Sequence, residues 1–459
     1  MTTYDNILPR QRPWAFATLI LLGASCIVTA GAGFYLTFLF TALAFLLAVG
    51  TPVWIALSGA SLGYLILSGD APEMLSLHRM VNGIDSFPLV SVPFFILAGA
   101  LMNTSGITER IFDFARSLVG WMHGGLGHVN VGASVVFAGM SGAAIADAGG
   151  LGMIEIRAMR KAGYDTDFAI GITAASSTIG PIIPPSLPLV FYGVMASASI
   201  GDLFIAGIIP GLVMALSLMI MVAWYARRRN YPRETSLSLP RIITASRRAA
   251  LSLMTPVIIV IGIVFGIFTP TEAAIAAVAY ALFLGGIVYR SLSLKSLMHT
   301  ALDTIETTAT VMLIVGSASV FAWILSSNHV PEELSVLILG ITENKVLVLL
   351  FVSLVLFVVG CFMEPIAAIT ILVPALLPIV TSIGVDPVHF GIVMVLNLMI
   401  GLLTPPVGMV LYVLSQVSRV PFERCLNATM PFLIPLLVSL MLITFIPALT
   451  LWLPSILGR

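Results

Sequence analysis

Thirteen apolar blocks occupy almost the whole chain, at about 14–34, 36–50, 52–68, 87–104, 129–161, 165–196, 200–226, 251–269, 272–289, 307–328, 345–383, 388–416 and 430–453. A helix that crosses a hydrocarbon core needs about 20 apolar residues, so the chain has room for roughly ten to fourteen membrane-crossing or membrane-entering segments. Only 9% of the 459 residues are charged, against about 25% in soluble domains, which excludes an ordinary soluble fold. The expected fold is therefore an all-α integral membrane protein.

The 21 basic and 21 acidic residues cancel, so nothing points to a nucleic acid or another polyanion. Cys26, Cys361 and Cys425 lie far apart without CxxC spacing and read as packing residues, and the six histidines show no ligand spacing. No nucleotide loop, hydrolase elbow or zinc motif occurs, so the reading is of a non-enzyme without ATP-driven pumping of its own. The N-terminal stretch MTTYDNILPRQRPW leads into an apolar run with no small-residue cleavage pattern, which predicts a retained helix rather than a removable signal.

Residues 227–248 hold seven arginines and one glutamate and divide the chain near its middle. A shift of 221 places Gly139 on Gly360, Gly163 on Gly384, Asp165 on Asp386, Gly180 on Gly401, and Pro184 and Pro185 on Pro405 and Pro406, and it superimposes the apolar blocks as well. One shift that aligns motifs and hydropathy together predicts two repeats. We read residues 1–35 as an extra N-terminal helix, 36–226 as repeat 1, 227–250 as an Arg-rich cytoplasmic linker and 251–459 as repeat 2.

With 129–161 and 345–383 taken as re-entrant hairpins and the linker placed inside, 18 basic residues fall on the cytoplasmic side. Only Arg79, Lys345 and Arg459 fall outside. The hairpin assumption helps to produce this split, so it is a consistency check. In this frame the repeats are inverted, as in secondary transporters whose site lies at the midplane between two halves.

The first hairpin is inferred from small residues at Gly139, Ser141, Gly142, Ala143 and Ala144 after about a dozen apolar positions, too few to span. Close packing of small residues is the alternative reading. Thr173–Ser186 (TAASSTIGPIIPPS) and Asn397–Met409 (NLMIGLLTPPVGM) are sharper, because prolines inside a span remove donors and release carbonyls. Such broken helices expose oxygens to a cation and aim a half-helix N-terminus at an anion; the alternative is a pair of packing kinks. Their hydroxyl and amide candidates are Thr173, Ser176, Ser177, Ser186, Asn397 and Thr404.

Two carboxylates lie deep. Glu364 could ligate a cation, carry a proton or cap a helix, and Asp147 reads best as a capping or structural group. Amphipathic stretches at 71–85, 106–123 and 291–306 are expected in the interface as connecting arms.

These motifs carry a resemblance. From about Phe38 to Trp452 the chain resembles the DctM-type large permease subunit of TRAP (tripartite ATP-independent periplasmic) transporters. The matching stretches are PFFILAGALMNTSGI (93–107), GGLGHVNVGASVVFAGMSGAAIAD (124–147), AGYDTDFAIGITAASSTIGPIIPPS (162–186), SIGDLFIAGIIPG (199–211) and HFGIVMVLNLMIGLLTPPVG (389–408). The resemblance implies a secondary transporter of the bacterial inner membrane that imports an organic anion, such as a C4-dicarboxylate, another carboxylate or a sugar acid, by Na⁺ symport. It also implies a small four-helix membrane subunit, a periplasmic solute-binding protein, and an elevator mechanism in which hairpins and broken helices move as one body.

Sodium positions implied in this way are Ser141, Gly142, Ser176, Ser177, Gly180, Pro181, Gly360, Met363, Thr404 and Pro405. Substrate positions are Ala143, Thr173, Ser186, Glu364, Asn397 and Gly408. No cofactor and no metal beyond sodium is implied. The chain departs from the family at Ala143, where a second small hydroxyl is frequent, and at Glu364, where Asp is usual. Its extra helix at 14–34 resembles a connector from fused versions of the two subunits, yet no four-helix module precedes it. The small subunit is then a separate chain or is missing. The rivals are a stand-alone proton- or sodium-coupled anion carrier that needs no binding protein, and a channel or scaffold.

The inverted frame can be tested by labelling. Single cysteines replacing Arg227 and Lys295 should react with an impermeant maleimide from the cytoplasmic side, and one replacing Lys345 from the outside. Labelling of all three from one side would contradict the frame.

Overall fold

A computed structural model describes residues 13–69, 72, 74–233, 238–342, 344–405 and 407–457; the side chains of residues 13–20, 87, 140, 141, 339 and 341 fall outside that description. Among the described residues there are helices and no strands. The first eleven helices are α1 (Pro13–Gly31), α2 (Tyr35–Val49), α3 (Val53–Ser68), α4 (Met74–Ile84), α5 (Ser91–Thr104), α6 (Ile107–Val119), α7 (Gly125–Ser141), α8 (Ala144–Gly149), α9 (Leu151–Lys161), α10 (Thr166–Ser177) and α11 (Leu187–Met195). They are followed by α12 (Ile200–Arg229), α13 (Leu239–Val264), α14 (Pro270–Phe283), α15 (Leu294–Ser327), α16 (Val330–Ile341), α17 (Lys345–Gly360), α18 (Pro365–Ser382), α19 (Pro387–Gly401), α20 (Met409–Ser418), α21 (Phe422–Phe445) and α22 (Ala448–Ile456).

Among the described residues six helices are long and apolar enough to cross a membrane, fewer than the apolar blocks. The rest of the apolar sequence lies in shorter helices: α10 rises about 18 Å and α17 about 24 Å, short of a core about 30 Å thick. Two other boundaries differ from the sequence reading. The Arg-rich linker is mostly helical, since α12 runs to Arg229 and α13 starts at Leu239. Residues 291–306 do not form a separate interfacial arm, because α15 runs on through the next apolar block for 34 residues. Hydropathy drops there, but no Gly or Pro interrupts the ladder between Leu294 and Val315. At the related position earlier in the chain, Pro88 lies in a 3₁₀ turn between α4 and α5.

Contacts divide the chain into two units, residues 1–85 with 310–330, and 86–309 with 331–459. In the first, α2 packs between α1 and α3. Ser58 Oγ lies 2.7 Å from Ser317 Oγ, and Tyr64 Oη donates to Asn328 Oδ1 at 3.0 Å.

The second unit is built around α10 and α19. Every residue from Phe168 to Ser177 and from His389 to Gly401 is buried, so these helices face protein all round, as their unbroken apolar sequence allows. They run in opposite directions. Near the start of α10, Asp167 Oδ1 accepts from Arg424 Nε at 2.6 Å, just beyond the end of α20. At the other end, Tyr192 Oη in α11 donates to the Pro387 carbonyl at the start of α19 (2.6 Å). The end bearing Asp167 also gathers the end of α9, through Arg160 Nη1 to the Ser418 carbonyl (3.1 Å), and the end of α12, through Arg229 and Tyr231 to Asp165.

The helices before each of these make hairpins. Leu126 N at the start of α7 donates to Tyr164 Oη just past the end of α9 (3.3 Å), so α7 and α9 begin and end together. Lys345 Nζ at the start of α17 donates to the Gly384 carbonyl just past α18 (2.9 Å), which closes a second hairpin the same way. The first hairpin opens at the Asp167 end of the bundle and the second at the Pro387 end.

The Tyr231 hydroxyl, and after it the Arg229 guanidinium, hold the Asp165 carboxyl below the usual carboxylate range. A carboxylate held low in the folded state adds stability above its unfolded pKa, and the gain is lost as pH falls through the lowered value. The groups are largely exposed, so Asp165→Asn should cost about 1 kcal/mol or less at pH 7. The difference from wild type in thermal midpoint should shrink as pH drops below about 4; a constant difference down to acid pH would assign the loss to packing.

Candidate functional site

Each hairpin turns at a tip that is pressed into a broken helix. In the first, Gly142 follows α7 with φ +58°, a left-handed conformation that glycine adopts without strain. A Cβ there would lie 2.6 Å from the Pro185 carbonyl oxygen and 3.2 Å from Leu187 N, so the tip touches the backbone of the interruption between α10 and α11. Ala143 follows as the N-cap of α8 and makes no side-chain cap. The Ser141 side chain lies outside the described residues.

The interruption runs from Thr178 to Ser186, with Gly180 and Pro181 buried within it. The Ser186 hydroxyl closes it: it donates to the Pro181 carbonyl and accepts from Leu189 N, capping α11. The Pro184–Pro185 peptide bond is cis.

In the second hairpin α17 ends at Gly360. A Cβ on Gly401 would lie 2.5 Å from the Gly360 carbonyl carbon, and one on Gly360 would lie 3.0 Å from Leu398 Cα. The tip and the end of α19 are therefore in backbone-to-backbone contact, which excludes a side chain at Gly401 and leaves little room for one at Gly360. Val407 N donates to the Cys361 carbonyl (3.3 Å), and Cys361 Sγ lies 2.8 Å from Thr404 Oγ1, which also donates to the Gly401 carbonyl (2.8 Å). Met363 is buried beside the tip. Glu364 is the N-cap of α18, its Oε2 accepting from Ile366 N (2.9 Å) and Ala367 N (3.2 Å). Of the three roles open in sequence, this geometry is the cap. Pro405 is exposed, and Gly408, with φ +60°, starts α20 without a side-chain cap.

The halves are interleaved. α11 packs on α18 and α20 packs on α8, so each broken helix touches both hairpins.

Among the described residues, the buried oxygens of this assembly that make no hydrogen bond include Asn397 Oδ1, Asp147 Oδ2 and Glu155 Oε1. Asn397 occupies the position of α19 that the 221 shift relates to Ser176 of α10, and its Nδ2 donates to the Val393 carbonyl (2.8 Å). An orphaned buried carbonyl oxygen costs about 1–3 kcal/mol and is what a dehydrated cation would seek. Of the capping and structural roles expected for Asp147, the geometry is the structural one: it is buried one turn into α8 with the Ser134 hydroxyl as partner.

Thr173 and Ser176 belong to a network that hydropathy does not reveal. Asn130 Nδ2 donates to Glu155 Oε2 (2.6 Å) and Thr173 Oγ1 (2.8 Å), while Ser176 Oγ donates to Asn130 Oδ1 (2.7 Å). The Ser177 hydroxyl is turned back to the Ala174 carbonyl (2.8 Å). Asn130, Glu155 and Cys361 were missed in sequence. The first two are polar letters inside apolar arms, the only available signal, and Cys361 reads as a packing residue though it touches Thr404.

The family of the tripartite ATP-independent periplasmic transporter, DctM component, matches residues 40–449. The chain belongs to this family. It is 48% identical over 411 residues, 90% of this chain and 96% of the other, to the sialic acid TRAP transporter large permease protein SiaM of Vibrio cholerae. It is 41% identical to the sialic acid TRAP transporter permease protein SiaT of Haemophilus influenzae, over 89% of this chain but only 66% of that longer relative. It is 39% identical to the C4-dicarboxylate TRAP transporter large permease protein DctM of Pseudomonas aeruginosa, over 88% and 94% of the two chains. The crystal structure of the Alcanivorax borkumensis YdaH transporter shares the fold, with TM-score 0.58 at 14% identity over 85% of this chain and 91% of that one. The chain is thus a TRAP large permease, a multi-pass protein of the bacterial inner membrane and not an enzyme.

Gly401→Ala should cost at least about 1–3 kcal/mol, because its Cβ meets backbone that cannot rotate away. Gly31→Ala, whose Cβ meets nothing within 4 Å, is the control and should be neutral or slightly stabilising. Equal thermal midpoints for the two variants would contradict the contact between the tip and α19.

Proposed function

We propose that the chain is the large membrane subunit of a sodium-coupled importer of an organic acid, working with a small four-helix membrane subunit and a periplasmic solute-binding protein. The observation that carries the reading is the pair of hairpin tips seated on two oppositely running broken helices. That arrangement brings released backbone groups and helix ends to one buried layer without a buried cation of the protein's own. Among the described residues no lysine or arginine is buried.

The coupling ion is Na⁺, held by oxygens. The Asn397 Oδ1 atom, open and buried, and the Thr404 hydroxyl beside the Gly360–Gly401 contact are the ligands of one site in this reading. Around the first tip, Ser141, Gly142, Ser176, Ser177, Gly180 and Pro181 are the corresponding positions. Met363 and Pro405 flank the second. The substrate carboxylate faces the start of α20, where Gly408 leaves the first turn without a side-chain cap. Ala143, Thr173, Ser186 and Glu364 line the remainder. Binding of Na⁺ would lower the cost of bringing the carboxylate into an apolar layer, which couples the two.

The substrate class is a carboxylate-bearing sugar acid, supported by the two relatives at 48% and 41% identity named for sialic acid. A C4-dicarboxylate is the competing member of the class, since a relative at 39% is named for it. The repeats are inverted copies, which the opposite directions of α10 and α19 support, and the interleaved hairpins and broken helices move together as the mobile body of an elevator.

Proteoliposomes holding the two membrane subunits should accumulate sialic acid when given a Na⁺ gradient and binding protein, and neither component should suffice alone. Uptake driven by pH alone, without Na⁺ or binding protein, would replace this reading with a stand-alone carrier. Asn397→Ala or Thr404→Ala should raise the Na⁺ concentration for half-maximal uptake about tenfold, the loss of one oxygen ligand worth about 1–3 kcal/mol. An unchanged Na⁺ dependence in both would remove them from the site.

A further inference from the structure

A separate cleft lies between α6 and α13, away from the hairpin tips. It has a volume of about 690 Å³ and is lined by Arg110, Arg116, Arg241 and Arg248, with Asp113 as the one acid in its lining. The lining is therefore net positive by three charges. On α6 the basic positions Arg110 and Arg116 share a face with Asp113; on α13, Arg241, Ala245 and Arg248 recur at helical spacing on the face that farther down packs against protein. The arginines are thus gathered between two helices rather than scattered over the outer surface.

Part of the cleft is fixed in place. The Arg110 guanidinium lies 3.9 Å from the centroid of the Tyr289 ring, and Tyr289 Oη lies 3.0 Å from Ser252 Oγ on α13. Stacking holds the guanidinium plane while leaving its edge donors for an anion. Arg116 also lines the neighbouring cleft with Leu126, Ala158 and Lys161, which places both at the end of the bundle where α7 begins and α9 ends. That end carries Arg160, Arg229 and Arg424 too, and corresponds to the cytoplasmic side of the charge frame.

We propose that this cleft is a binding site for a phosphate-bearing anion, supplied by the headgroup of an anionic phospholipid of the cytoplasmic leaflet. Guanidinium forks match phosphate oxygens in pairs, and a basic pocket between helices at membrane depth is where such headgroups are held. The exposed apolar residues Leu239, Ile243 and Leu251 on the same helix place the cleft at the level of the lipid. A headgroup there would bridge α6 to α13, which carries the chain from one half into the other.

The test uses the full-length protein, purified with its small membrane subunit in zwitterionic detergent, and follows its thermal midpoint as lipid is added. Phosphatidylglycerol should raise the midpoint with at least tenfold higher apparent affinity than phosphatidylcholine. Arg241→Gln with Arg248→Gln should reduce that preference roughly tenfold or more, at about a fivefold loss for each charge removed. The same pair changed to Lys should keep part of it, which separates loss of charge from loss of folding. Arg227→Gln with Arg228→Gln, outside the cleft, should leave the preference intact. Glycerol phosphate in water should compete weakly if the source is lipid; competition at equal affinity, abolished by the Gln pair, would keep the phosphate site and assign it a soluble ligand. Equal stabilisation by the two lipids, or a preference unaltered in the Gln pair, would overturn the proposal. So would release of the small subunit by the Gln pair with no change in lipid preference, which would make the cleft a protein contact.

Discussion

The second unit depends on two places where backbone touches backbone, the Gly142 tip against Pro185–Leu187 and Gly360 against Gly401. A side chain at Gly142 or Gly401 would hold the tip away, and one at Gly360 would crowd it. With the tips seated, α10 and α19 are enclosed by protein on every face, which is why their breaks can lie deep without meeting lipid. The interruptions release carbonyls and helix ends, and the tips cover them. Ser186, Thr404 and Glu364 each satisfy part of the freed backbone at these breaks. What they leave open, above all Asn397 Oδ1, is the polar capacity on which an ion site can be built.

Polarity is distributed to match. Charged contacts collect at the ends of helices, where Asp165 with Tyr231 and Arg229, Asp167 with Arg424, and Arg160 with the Ser418 carbonyl tie α9, α10, α12, α20 and α21 together. Each of these contacts is partly exposed and worth little alone. Together they fix which helix ends share a side, and so the opposite directions of the two broken helices. The interior instead is joined by an amide, with Asn130 linking Glu155, Thr173 and Ser176 across three helices. An amide can donate and accept at once, so a single side chain can link an acid and two hydroxyls where a lysine would bring a charge costly to bury.

Legibility in sequence followed the range of the cause. The interruptions between α10 and α11 and between α19 and α20 have local causes, Gly and Pro inside apolar runs, and those letters are visible. The start of α18 is equally local, since Glu364 before Pro365 is both cap and first-turn signal. The continuity of α15 was not legible from hydropathy, because its polar first half looks like an arm while its backbone has nothing to stop it. Contacts between distant residues left no pattern at all. Cys361 and Thr404 are 43 positions apart, and Asn130 and Glu155 25, and neither pair has a spacing that betrays it. Of the capping and structural roles open to Asp147 in sequence, only the long-range partner, Ser134 on the facing helix, separates them, and no spacing announces it.

Equilibrium binding of radioactive Na⁺ to the purified protein checks the claim that the breaks covered by the hairpin tips hold the coupling cation. Wild type should bind Na⁺ saturably in the presence of excess K⁺, and Asn397→Ala should bind about tenfold more weakly with an unchanged thermal midpoint in Na⁺-free buffer. Undiminished Na⁺ binding by a well-folded Asn397→Ala protein would contradict the claim.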